Sequence, residues 1–155
     1  MPQTSPTALR MLLHSPPRGG AIVEFALVMP FLVLLLVGLC DFGFATYDSM
    51  QVEAAATAGA QYAARHTWDA VAVAAAVTSA TGASGISATP APSKVCGCPG
   101  DGTLTLIVCT STCSSGDPPG VYASVSAQLQ YQTVLPYPGL PATLTLTGQT
   151  YRRLN

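Results

Sequence analysis

The chain has 155 residues, enough for one ordinary domain, and only 8% of them are charged, against about 25% in a typical soluble domain. A net charge of −1 without a basic run disfavours nucleic acid as a partner. With two histidines, seven acids and no nucleotide-binding or hydrolase motif, the sequence predicts neither an enzyme nor a bound cofactor or metal.

The first 45 residues have the pattern of a short leader followed by a membrane helix. Residues 1–19 contain Arg10 and Arg18, four prolines and no acid, which predicts a flexible, weakly basic leader. Residues 20–45 are largely apolar, and 25–40 contain no charge. The twenty-five residues 21–45 rise about 37 Å as a helix, enough for a hydrocarbon core of about 30 Å. We therefore predict a transmembrane helix over 20–45, in which Pro30 is tolerated.

Two other kinds of N-terminal signal fit this segment less well. A cleaved secretory signal would need a shorter apolar region and a small-residue cleavage site where Asp41 stands. A lipoprotein signal ending at Cys40 would need a small residue where Leu39 stands. The two leader arginines predict a single-pass membrane protein with a cytoplasmic N-terminus and a C-terminal part outside.

Residues 46–82 predict an alanine-rich helical region. Small residues recur every four positions in two rows, Ala55–Gly59–Ala63 and Ala56–Ala60–Ala64. Such rows occur at closely packed helix interfaces, but alanine also favours a helix by itself, so both interpretations stay open. A second helix is expected from Trp68 to Ala80, ended by Gly82.

Residues 83–155 predict a β-rich exported domain. Turn residues divide this region, and strands are expected over 95–98, 103–109, 121–133 and 142–152. From Val121 to Tyr131, larger apolar residues alternate with small or polar ones, as in a half-buried strand. The expected fold class is α+β: a long N-terminal helix followed by a small antiparallel sheet.

Four cysteines of the exported region lie within eighteen residues, at Cys96, Cys98, Cys109 and Cys113. An even number in an oxidising compartment predicts two disulfides, with three possible pairings. If Cys98 and Cys109 face each other across a hairpin, nested pairs 98–109 and 96–113 follow. A four-thiolate zinc site is the alternative, although the spacing fits it poorly. Cys40, in the apolar segment, is expected to be a buried, inert thiol.

The most specific motif is Gly19-Gly20-Ala21-Ile22-Val23-Glu24-Phe25. It resembles the processing signal of Flp-type prepilins, which implies a cut by a prepilin peptidase between Gly19 and Gly20. A charge just inside an apolar helix is costly and usually marks a function. The resemblance implies that Glu24, at mature position five, neutralises the terminal amine of a neighbouring subunit.

The segment 18–65 resembles the TadE-like family more widely, through V-E-F-A-L-V-x-P, a leucine-rich run, D-F-G and an alanine-rich block ending in G-A-x-x-A-A. A looser resemblance extends over 121–152. The family implies a minor pseudopilin that assists assembly or anchoring of a Flp/Tad adhesive pilus. Its implied partners are the inner membrane, a prepilin peptidase, other pilins and the Tad secretion platform. The alternative is an unprocessed single-span scaffold or surface protein with a disulfide-stapled outer domain.

Overall fold

The computed structural model describes residues 20–100, 102–134 and 141–154. They form two helices and four strands: α1 Gly20–Arg65, α2 Ala70–Ser79, β1 Ser93–Pro99, β2 Leu104–Ile107, β3 Gly120–Gln132 and β4 Thr143–Arg153. The predicted α+β class is therefore confirmed. The chain divides into two units, Met1–Cys40 and Asp41–Asn155, so α1 begins in the first unit and ends in the second.

The described part of the first unit, 20–40, is an apolar helix without a covering layer. It is long and apolar enough to cross a membrane by length and composition, and its most apolar stretch is not buried against any described part of the chain. Apolar surface of this extent on one helix indicates contact with lipid or with other protein chains. It is the one helix of this kind among the residues that the structure describes, and its place near the N-terminus indicates a single-pass membrane protein.

The second unit contains an antiparallel sheet in the order β2-β1-β3-β4. Each predicted strand is present, and each of its ends lies within two residues of the expected position. Along β3, Ala123, Val125, Ala127, Leu129 and Tyr131 are buried, as their alternation predicts, because they face the core.

The core lies between one face of the sheet and the two helices. Its buried members on the helices are Val52, Ala55, Ala56, Ala60, Ala63, Val73 and Val77. Helix α2 begins two residues later than predicted because the Asp69 carboxylate caps it, accepting hydrogen bonds from the backbone N–H of Val71 and Ala72 at 2.9 and 3.4 Å. The alanine rows of α1 thus face the sheet and α2 of the same chain.

Two glycines permit this close packing. A Cβ built on Gly59 would collide with the Val77 side chain and lie 3.1 Å from Val125 Cγ1. A Cβ built on Gly148 of β4 would lie 3.0 Å from Glu53 Cα and 3.1 Å from its backbone nitrogen. The backbones approach so closely that a larger residue at either position requires a shift.

Candidate functional site

The predicted processing motif lies at the start of α1. Gly20 is the first residue of the helix, whereas Gly19 lies outside the described residues. Glu24 and Phe25 follow about one turn later, and both are exposed, Phe25 to 60%. Within the described part of the chain, the Glu24 side chain forms no hydrogen bond or ion pair. A carboxylate is thus presented on the outer surface of an apolar helix.

This arrangement is suited to binding a cation between molecules. The neighbours of Glu24 are apolar and exposed, among them Ile22, Val23, Phe25 and Leu27. When such a surface is covered, an unpaired carboxylate loses its hydration, and a positively charged group beside it restores part of that loss. The helix can therefore associate favourably with another molecule that offers both an apolar surface and one positively charged group.

A second polar feature lies at the start of the second unit and was not foreseen from the sequence. Asp41 is 5% exposed, and its carboxylate accepts hydrogen bonds from the Tyr131 hydroxyl and, at 3.3 Å, from the Val134 backbone N–H. The Tyr131 hydroxyl also lies 3.1 Å from the Asp41 carbonyl oxygen. These bonds attach the end of β3 to the helix. The D-F-G pattern drew attention to Asp41, but nothing in the sequence identified its partners.

The four clustered cysteines form the disulfides Cys96–Cys109 and Cys98–Cys113. The nested pairing expected from a hairpin, 98–109 and 96–113, is wrong. Cys96 pairs with Ile107 in the β1–β2 register, so Cys109 lies two positions beyond the partner of Cys96. Cys109 lies four positions beyond Thr105, the partner of Cys98, so along the strand it is nearer to Cys96 than to Cys98. Because their sulfurs are bonded to each other, the four cysteines provide no thiolates for zinc.

Other chemistry-bearing groups are dispersed over the described residues. No group of three or more His, Cys, Asp or Glu side chains among them could hold a metal ion. His66 stacks on Tyr62, with ring centroids 4.1 Å apart, and its Nδ1 lies 3.1 Å from the Tyr62 carbonyl oxygen. Cys40 is a free thiol and is exposed on the helix, not buried within the chain as expected.

The model of the TadE-like protein family matches residues 19–61. The predicted resemblance is thereby confirmed for this segment, which contains the processing motif, the apolar helix and the start of the alanine-rich block. The match indicates a role related to the Tad pilus. No curated protein and no solved structure matches the chain.

Proposed function

We propose that this protein is a minor pseudopilin that assists the assembly or anchoring of a Flp/Tad-type adhesive pilus. One observation supports the proposal most strongly. The residues that match the TadE-like family, 19–61, include an uncovered apolar helix that begins at Gly20 and has an exposed carboxylate at Glu24. The helix is anchored in the inner membrane with the β-rich unit outside the cytoplasm. The protein acts through binding and assembly, without a catalytic step of its own.

Processing creates the complementary group that Glu24 requires. A prepilin peptidase cleaves between Gly19 and Gly20 and releases the basic leader, leaving a positively charged amine at the start of the helix. The Glu24 carboxylate of one subunit then pairs with the terminal amine of a neighbouring pilin or pseudopilin. In the low-dielectric surroundings of packed apolar helices, this pair selects one axial register, because any other register leaves both charges unpaired.

The partners follow from the same surfaces. The apolar helix contacts lipid before assembly and other pilin helices after it, and the leader is presented to the peptidase at the cytoplasmic face. The exported unit is stabilised by its two disulfides. The Tad secretion platform is the machinery on which these subunits assemble.

Neutral substitution of Glu24 tests the proposed assembly. In the native bacterium, Glu24→Gln should leave membrane insertion unchanged but lower the amount recovered with pilin-containing complexes about tenfold or more, because an unpaired buried charge costs several kcal/mol. Crosslinking in intact membranes, followed by quantitative mass spectrometry, measures this recovery. Asp48→Asn is the matched control: it removes a half-buried carboxylate from the same helix and should not alter recovery. Equal recovery of wild type and Glu24→Gln would contradict the proposed pairing.

A further inference from the structure

The first turns of α1 in the second unit also expose large apolar side chains. Phe42 is 72% exposed, Phe44 59%, Tyr47 61% and Met50 63%. We call residues 42–50 the aromatic segment. Further along the helix, the exposed positions become polar or small: Glu53, Ala54, Thr57 and Gln61. The outer surface of the helix therefore changes character between Met50 and Glu53, and from Val52 onward the opposite side is buried in the core.

Asp41 does not interrupt this apolar surface, although it is charged. Its side chain is turned into the second unit, where Tyr131 and Val134 donate hydrogen bonds to it. Asp48 is half-buried, so Glu53 is the first fully exposed carboxylate after Glu24 among the described residues. A charged side chain normally opposes the placement of a helix segment in lipid, because its hydration is lost. The Asp41 carboxylate is already buried and hydrogen-bonded within the protein, so the residues around it can contact lipid without that cost.

The length of the apolar run shows why such a placement is needed. The uncharged stretch 25–40 rises only about 24 Å as a helix, which is shorter than a hydrocarbon core of about 30 Å. Extending it through 41–47 gives about 35 Å. A span that ended at Cys40 would place Glu24 about 5 Å inside a hydrocarbon core of about 30 Å, whereas a span that continues past Asp41 keeps Glu24 outside that core, at the interface.

We propose that the aromatic segment lies in the interfacial layer of the bilayer, with Phe42, Phe44 and Tyr47 in contact with lipid. The inference rests on the proposed membrane anchoring and adds a lipid-contacting surface to the exported unit. Lipid is the occupant because the segment continues an apolar helix, lacks an exposed charge and combines two phenylalanines with a tyrosine hydroxyl. Aromatic side chains of this kind are enriched at membrane–water interfaces. Asp41 and the end of β3 then lie at the lipid surface.

Tryptophan scanning of the full chain in lipid vesicles tests this position. The native tryptophan is removed by Trp68→Phe, and one new tryptophan is introduced by Phe44→Trp or, as a second probe, Phe42→Trp. Phe31→Trp, within the span, and Thr57→Trp, at an exposed polar position, are the matched controls. Retention of both disulfides verifies folding of each variant. Quenching is measured with lipids brominated near the headgroup and with aqueous iodide, at a low ratio of protein to lipid.

We expect brominated lipid to quench Phe44→Trp and Phe31→Trp several-fold more than Thr57→Trp, and iodide to show the reverse order. If Phe31→Trp is quenched by lipid but Phe44→Trp and Phe42→Trp are quenched only by iodide, the inference is overturned while the membrane span stands. If lipid quenches none of them, the proposed anchoring itself fails. Protection of Phe44→Trp from both quenchers that grows with protein concentration would make a second copy the occupant and would also overturn the inference.

Discussion

The Tyr131 hydroxyl and the Asp41 carboxylate are 90 positions apart in the sequence, yet they form the contact that fixes the end of β3 to α1. Their residue types offer no signal of this pairing, because a tyrosine at the end of a strand pattern fits the core without a polar partner. By contrast, the predicted role of Glu24 rests on local pattern alone and stays a prediction. The contact between Asp41 and Tyr131 is tertiary, so local pattern could not predict it.

Removal of the Tyr131 hydroxyl measures the strength of this contact. Tyr131→Phe leaves the buried Asp41 carboxylate without one of its donors, and we expect a loss of about 1–3 kcal/mol in the free energy of unfolding. Chemical denaturation of the full chain in detergent, followed by circular dichroism, measures the change. Tyr122→Phe, on the same strand, is the control: within the described part of the chain its hydroxyl forms no hydrogen bond, so its change should stay within about 0.5 kcal/mol. Equal effects of the two substitutions would show that the Asp41 contact contributes nothing.

At the scale of secondary structure, periodicity located most elements. Alternation along β3 and the turn residues between strands predicted all four strands, because a half-buried sheet imposes a period of two on its sequence. The junction between α1 and α2 was harder, since Trp68 fits a helix and only the Asp69 cap fixes the start of α2. For the alanine rows, composition left two interpretations open, and the structure shows close packing within the chain.

The close approach at Gly59 gives a second test of stability. Gly59→Ala introduces a methyl group that would collide with Val77, and we expect a loss of about 1–3 kcal/mol from overpacking. Gly43→Ala, in the same helix, is the matched control: no atom lies within 4 Å of the added Cβ, so alanine should be neutral or stabilise the helix by up to about 1 kcal/mol. Thermal unfolding of both variants separates steric effects from helix propensity. A Gly59→Ala variant as stable as Gly43→Ala would contradict the packing described here.

The disulfide pairing makes a prediction about mixed variants. Cys96→Ala/Cys109→Ala and Cys98→Ala/Cys113→Ala should each keep one disulfide and lose about 3 kcal/mol, since the two closed loops are of similar length. The mixed variant Cys96→Ala/Cys113→Ala should instead retain two reactive thiols besides Cys40, at Cys98 and Cys109. Alkylation under non-reducing conditions and mass spectrometry count these thiols. If the wild-type protein instead contained a quantitative 98–109 disulfide, the nested pairing would be correct and the pairing described here would be wrong.

For the whole molecule, the order of helix and sheet followed from the sequence, whereas the disulfide pairing did not. An apolar run of membrane length and a cluster of four cysteines are visible in the sequence without any tertiary contact. The disulfide pairing depends on the register between β1 and β2, and a hairpin pattern in the sequence does not determine that register. In the structure, the register places Cys96 opposite Ile107. The predicted cleavage at Gly19 lies outside the described residues and depends on chemical measurement.

The N-terminus of the native protein tests the central claim most directly. In cells with an active prepilin peptidase, N-terminal sequencing of the purified membrane form should begin at Gly20. Gly19→Leu should retain the leader because the larger side chain crowds the scissile bond, whereas the control Gly43→Ala lies far from that bond, adds a Cβ with no described atom within 4 Å and should still be cut. Both variants should insert into the membrane equally. A wild-type chain that still begins at residue 1 or 2 would contradict the pseudopilin mechanism and leave an unprocessed membrane-anchored scaffold.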